Sequence, residues 1–294
     1  MTNTVSVKTM EKMKSVSPSA RTWRRFFTGP IGWISIATVV GIVLLGIFGP
    51  MVVAYPGSYG SAPALAPPSA EYWFGTDSLG RSVFDQVVWG TRTSLIVVLA
   101  AGTVATLLGA VIGIASAYSR HIDAFFAIII DVMLALPVLP LMIVVTALLG
   151  SSLTTLVLVL GFFSWPEIAR IIRSNALTVV HQPYVEGARA IGASPIRIMW
   201  KEVLPMVSPL LIVNALLTGS RAVIGEAGLS FLGLGDPNTW SWGRVLYEAQ
   251  RDAVMVVAWW QTLFPSLLIL LLVLSATTIG VRYNDSRMQK FTGV

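Results

Sequence analysis

The sequence predicts an all-α membrane protein with six transmembrane helices, on three observations. The chain of 294 residues is 55% hydrophobic and only 12% charged, where a soluble domain holds about 25% charged residues. Six apolar stretches, at residues 31–54, 95–118, 124–149, 153–170, 206–232 and 258–281, are each long enough to cross ~30 Å of hydrocarbon as a helix. Lastly, the basic residues are unevenly shared between the two sides. With the N-terminus inside, fifteen Lys and Arg fall inside and only Arg81, Arg92, Arg244 and Arg251 fall outside, Arg221 lying in a span. That bias obeys the positive-inside rule and puts both termini in the cytoplasm.

Composition also excludes several kinds of chemistry. Without cysteine there is no disulfide framework, thiol nucleophile or Cys-based metal site. His121 and His181 cannot make a metal cluster by themselves and read as solvated loop residues. The net charge of +6 comes from basic residues beside apolar runs rather than along one stripe, so membrane lipid is the expected partner and nucleic acid is not. No G-x-x-x-x-G-K-[ST] phosphate loop occurs, and Lys8, Lys12, Lys14, Lys201 and Lys290 leave no place for one. No nucleophile stands beside a base. The chain is predicted to hydrolyse nothing and to hold no cofactor or metal.

In chain order, residues 1–30 form a polar basic head. Residues 31–54 are too long for a signal-peptide core of about 7–15 residues, and no A-x-A-like site follows, so they read as the first span. Residues 55–94 are a Pro- and Gly-rich external stretch, in which Gly75 and Gly80 bracket a turn and Val83, Val87 and Val88 begin an amphipathic helix. In the second span, 95–118, Gly109, Gly113 and Ala117 repeat every four residues and offer a small face for close packing. After a polar connection, the third span at 124–149 carries Asp131, Pro137 and Pro140. Its prolines should kink or locally unwind it.

Asp131 is an ionisable residue in a span and so a candidate for a translocation path. It lies only about 10 Å from the segment's start, and a structural bond to a neighbouring helix end is the favoured alternative. The fourth span, 153–170, ends in a cytoplasmic stretch over 171–205, with Pro166, Glu167, Arg170 and Arg173 marking its inner end. The fifth, 206–232, holds two more path candidates, Arg221 and Glu226. They stand about 140° apart on a helix and each needs a partner on another element. An external loop, 233–257, precedes the sixth span at 258–281 and a tail at 282–294. Trp240, Trp242, Trp259 and Trp260 are placed as an interfacial aromatic belt.

Residues 184–205, YVEGARAIGASPIRIMWKEVLP, are the longest charged segment between strongly apolar ones. They read as helix, turn and helix beside the membrane. Residues 184–191 are helix formers, and Gly192 suits a left-handed C′ position. Ser194 offers an N-cap oxygen and Pro195 fits the first helical position. The second helix is predicted over 196–204, with Pro205 marking the handover to the next span.

Glu186-Gly187-Ala188, then Gly192, then Leu204-Pro205 resembles the EAA loop of bacterial-type ABC importer permeases. Gly187 departs from the family's alanine and Glu202 from its usual isoleucine. Two further blocks resemble dipeptide and oligopeptide importer permeases. One is Tyr72-Trp73-Phe74-Gly75-Thr76-Asp77-Ser78-Leu79-Gly80-Arg81-Ser82-Val83-Phe84, with Ser82 where an acid is usual. The other runs from Glu226 to Gly235 and ends in Ser241-Trp242-Gly243. Departures from the family also include the tail after Arg282.

The resemblance implies a type I ABC importer permease fold in the cytoplasmic (inner) membrane. It implies that Glu186, Gly187, Ala188, Arg189, Gly192, Ser194, Pro195, Leu204 and Pro205 couple the chain to an ATPase. It also implies a second, distinct permease, two ATPase subunits that bind ATP and Mg2+, and an extracytoplasmic substrate-binding protein. Peptides are the implied cargo, with a non-peptide solute such as a metal complex as the alternative. Two other classes compete. An ion-gradient-driven transporter should show paired repeats with broken helices, and no repeat is visible. An intramembrane protease needs a Ser/His pair, and neither histidine lies within a span.

Overall fold

A computed structural model describes residues 30–291, with side chains through Tyr283. The basic head and the end of the tail lie outside the described residues. Among those residues the chain is helical, with one isolated bridge between Thr76 and Ser82. The helices are α1 Pro30–Val52, α2 Val83–Tyr118, α3 Arg120–Ala135, α4 Val138–Leu149 and α5 Leu153–Val180. Then follow α6 Pro183–Ala190, α7 Pro195–Ile198, α8 Leu204–Leu229, α9 Trp242–Arg251 and α10 Trp259–Phe291. Five of these, with α7 and α8 running together, are long and apolar enough to cross a membrane. The α3–α4 pair, bent by 91°, makes a sixth if it is one span.

Helix α2 is the centre of the bundle and packs most extensively on α5 and then on α8. Small residues allow this approach. A Cβ on Gly109 would meet Ile168 at 2.7 Å, and one on Gly113 would meet the Ala169 carbonyl at 2.8 Å. At the other crossing, a Cβ on Gly219 would meet the Val98 carbonyl at 2.3 Å. The four-residue repeat of small side chains therefore seats α2 on α5, as its spacing predicts.

The structure differs from the predicted elements at several points. The amphipathic helix and the second span are one 36-residue helix, α2, started by Ser82, whose Oγ accepts the Asp85 N–H. Val83, Val87 and Val88 are buried in protein rather than laid on a surface. Within residues 124–149 the chain does unwind at a proline, as expected, and the two halves bend by 91°. Leu136 is extended (φ −76°, ψ 147°) because it precedes Pro137, and Pro140 sits in the first turn of α4, where no N–H is needed. Helix α5 runs on to Val180, beyond the predicted 170.

The second helix of the turn also merges with the following span, through a π-turn at Met199–Val203. That turn immediately precedes Pro205, whose ring would collide with the Lys201 carbonyl in a regular α turn. One end of the bundle is covered by residues 53–82 and 235–258, the "cap end". The opposite end carries the turn between α5 and α8, the "turn end".

Candidate functional site

At the turn end, α6 begins with Pro183 at its first turn and Glu186 close to its positive pole. It stops in a Schellman motif. Gly192 N–H donates to the Arg189 carbonyl at 2.9 Å, and Ala193 N–H donates to the Ala188 carbonyl at 3.0 Å. Gly192 has φ +85°, the left-handed conformation its position predicts. The Ser194 hydroxyl then accepts the Arg197 N–H at 3.4 Å and opens α7, with Pro195 first.

One face of this turn is anchored. Val185, Ile198 and Val203 are fully buried in a cluster with Ile114 and Ala117 of α2 and Ile168, Ile172, Ala176 and Val180 of α5. Burial of each such side chain contributes about 1.5–3 kcal/mol. The Arg189 guanidinium lies 5.3 Å from the Tyr118 ring centroid and adds a further tie to α2. The other face is bare. Ile191 is 87% exposed, Ile196 70% and Trp200 68%, with Tyr184, Glu186 and Pro205 also exposed. A Cβ at Gly187 would meet nothing within 4 Å. This is a rigid, partly apolar knob.

Deeper in the bundle, the structure joins two of the three ionisable path candidates through α5. Arg170 pairs with Asp131, and Arg221 Nη1 donates to both oxygens of Glu167 at 2.7 Å. Asp131 lies about 16 Å into α3, Glu167 about 21 Å into α5 and Arg221 about 26 Å into α8. These groups are open, with side chains 71% exposed for Asp131, 53% for Arg170 and Glu167, and 60% for Arg221. A charge facing lipid at that depth costs several kcal/mol, so this face requires water or another protein. Nearer the turn end, Arg173 grips Asp123, the second bond being 2.8 Å.

Glu226 is not part of that band. It is 1% exposed, and its Oε1 accepts hydrogen bonds from Ser230 at 2.6 Å and Ser241 at 2.7 Å. Ser241 also caps α9 by accepting the Arg244 N–H at 3.1 Å. Glu226 thus ties the end of α8, with its π-turn at Ser230–Leu234, to the start of α9.

Two sequence blocks that are far apart in the chain form one cap network. The Asp77 carboxylate, 1% exposed, accepts the Leu79 and Arg81 N–H groups at 2.9 and 2.8 Å, Arg81 Nε at 2.5 Å and Gln86 Nε2 at 2.6 Å. Arg81 reaches on to Glu248 at 3.5 Å, and Arg251 meets the same carboxylate at 2.7 Å. The tryptophans do not form the predicted lipid belt. Trp240, Trp242 and Trp260 are buried, and their indole N–H groups bond Pro56, Val87 with Thr91, and Thr76 respectively. Trp259 alone of the four is half exposed. An indole whose N–H finds a protein acceptor can be buried whole; for Trp240 and Trp260 the acceptor lies across the cap, and for Trp242 it lies on α2.

Sequence reasoning took Glu167 and Arg170 as markers of a helix end and missed them as partners. Their opposite charges, three residues apart within an apolar run, were the available signal. For the cap, the signal was Asp77 and Arg81 between two turn glycines.

Residues 105–290 match the model of the family described as binding-protein-dependent transport system inner membrane component. Residues 17–68 match the N-terminal transmembrane domain of oligopeptide transport permease C. A putative peptide transport system permease protein of Brucella suis biovar 1 is 34% identical over 271 residues, 92% of this chain and 91% of its own. The glutathione transport system permease protein GsiD of Salmonella typhimurium is 36% identical over 285 residues, 94% of this chain and 92% of its own. GsiD of Escherichia coli O6:K15:H31 is 35% identical over 279 residues, 92% and 90% of the two chains. The chain belongs to the binding-protein-dependent transport system inner membrane component family.

Proposed function

We propose that this chain is one half of the channel of an ATP-driven peptide importer, coupled to a separate ATPase by the turn between α5 and α8. The observation that carries the proposal is the two-faced knob. Val185, Ile198 and Val203 fasten it to α2 and α5, while Ile191, Ile196 and Trp200 stand free at its tip. Force on such a knob moves the helices it is fastened to. ATP and Mg2+ belong to two partner ATPase subunits, a second distinct permease completes the channel, and an extracytoplasmic binding protein delivers the cargo. Six spans, with the α3–α4 pair as the third, put both termini and the knob in the cytoplasm and the cap outside the inner membrane.

The relatives named for peptide and glutathione transport support a peptide cargo, glutathione being itself a tripeptide. Asp131 and Arg221, with Arg170 and Glu167, form a band of two acids and two bases that lines the path. Its balance of charge suits a zwitterionic solute. Glu226 holds the outer wall of that path rather than its surface.

The test is Gly192→Val in the reconstituted complex. The glycine's φ of +85° is strained for any β-branched residue, although a Cβ there meets nothing within 4 Å. The cost is therefore about 1–3 kcal/mol of backbone strain inside the knob, with the spans left inserted. Substrate-stimulated ATP turnover should fall strongly, and more than in Glu186→Ala, since an exposed ion pair contributes about 0–1 kcal/mol. Unchanged ATPase binding and turnover in Gly192→Val would make the segment a mere connector.

A further inference from the structure

Apart from Arg221 of the charged band, four arginines lie in the cap half of the molecule, and three of them are matched by acids. Arg81 meets Asp77 and Glu248, Arg244 meets Glu248, and Arg251 meets Glu248 and Asp252. Arg92 is different. It is exposed and makes no ion pair or hydrogen bond among the described residues.

Its position is well defined. Trp89, one turn earlier on α2, donates its indole N–H to the Val53 and Ala54 carbonyls at the end of α1. A Cβ on Gly46 of α1 would lie 3.6 Å from the Arg92 Cα. Arg92 therefore leaves α2 opposite Gly46, nearly two turns or about 9 Å short of the end of α1, and its long side chain can snorkel toward that end.

Beside it is a groove of about 520 Å³ between α1, α2, α8 and α10. Its lining is apolar except for Arg92 and Ser220, and the Ser220 hydroxyl already donates to the Leu216 carbonyl at 2.6 Å. Its lining on α1 extends from Val39 to Met51, about 18 Å at 1.5 Å per residue. That is about one leaflet of a ~30 Å hydrocarbon core. The site thus has an unmatched cation rooted partway along an apolar slot, within a side chain's reach of Met51, with about 10 Å of apolar wall continuing from Gly46 to Val39.

We infer that this groove binds an anionic phospholipid of the outer leaflet, with its phosphate at Arg92 and one acyl chain laid between α1 and α10. The leaflet assignment rests on the topology proposed above; the lipid class does not. A zwitterionic lipid fills the slot less well, because its ammonium group opposes the arginine. A helix of the partner permease would match the apolar wall but leave the cation unmatched.

The experiment uses the full complex, purified in mild detergent and exchanged into mixed micelles of phosphatidylglycerol or phosphatidylcholine. Retained lipid is read by native mass spectrometry. Wild type should retain phosphatidylglycerol over phosphatidylcholine, and Arg92→Gln should lose about fivefold of that preference, the effect of one basic residue at an anionic surface. Arg92→Lys should keep most of it. Val43→Trp, which narrows the slot from α1, should reduce binding of both lipids with Arg92 intact.

Equal retention of the two lipids by wild type, or an unchanged preference in Arg92→Gln, overturns the proposal. So does cross-linking of a cysteine at Val43 to the partner permease in place of a photoreactive lipid. Labelling of Arg92→Cys by an impermeant thiol reagent separates the two readings. Labelling from the cytoplasmic side would overturn the topology and the leaflet, and leave the lipid preference standing.

Discussion

At the residue scale, Glu226 is an acid buried within an apolar helix and held by two hydroxyls. Only Oε1 is engaged, by Ser230 and Ser241, and Oε2 is buried without a partner. A glutamine keeps a carbonyl oxygen for both hydroxyls, so Glu226→Gln should assemble normally and retain most transport. Glu226→Leu removes the shared acceptor and should destabilise the α8–α9 junction by about 1–3 kcal/mol per hydroxyl left unpaired. Thermal unfolding of the purified complex, beside peptide uptake, reads the difference. Normal assembly of Glu226→Gln with abolished substrate-stimulated ATPase would instead make this carboxyl part of the transport machinery. That Glu226 needed a partner on another element was legible from its spacing to Arg221. Its choice of two serines was not, because hydroxyls carry no periodic signal.

At the element scale, local chemistry was readable where a backbone demand singles out a residue type. Gly192 and Ser194 occupy their predicted cap positions because a left-handed turn and an unpaired N–H admit few alternatives. The join between α7 and α8 and the merging of the amphipathic segment into α2 were not readable, since apolar periodicity does not show where one helix continues into another. The cap depends most on this kind of tertiary closure. Asp77 accepts four hydrogen bonds that hold the 72–86 block to itself and position Arg81 toward α9. Asp77→Ala leaves a buried guanidinium with the longer contact to Glu248 and the face of Trp240, at a cost of about 3–5 kcal/mol. The prediction is cleavage of residues 55–82 by an externally added protease that spares wild type, with α2 and α5 still protected from hydrogen exchange. Equal resistance in the variant would show that the indole bonds of Trp240 and Trp260 suffice to hold the cap.

At the scale of the whole molecule, charge, path and knob have to agree on one orientation. The cap network lies at one end of the bundle, the charged band lies partway along α3, α5 and α8, and the knob packs on α2 and α5 at the other end. A single inversion of topology would therefore exchange the sides on which the cap and the knob stand. Cysteine accessibility tests the orientation directly, because the chain has no native cysteine. Ser61 and Asn238 are exposed at the cap end and Ser194 at the turn end, whereas Ser241 is unsuitable because it is buried as the cap of α9. In intact cells an impermeant maleimide should label Ser61→Cys and Asn238→Cys, and should reach Ser194→Cys only after permeabilisation. External labelling of Ser194→Cys would place the knob away from any cytoplasmic ATPase and end the coupling proposal. Labelling of the two cap positions on opposite sides would remove the 91° α3–α4 pair as a crossing and, with it, the cap itself, in which Tyr55 Oη donates to the Asn238 carbonyl at 2.8 Å. That pair is the one element whose count as a span decides the parity, so the same three cysteines test both the orientation and the sixth crossing.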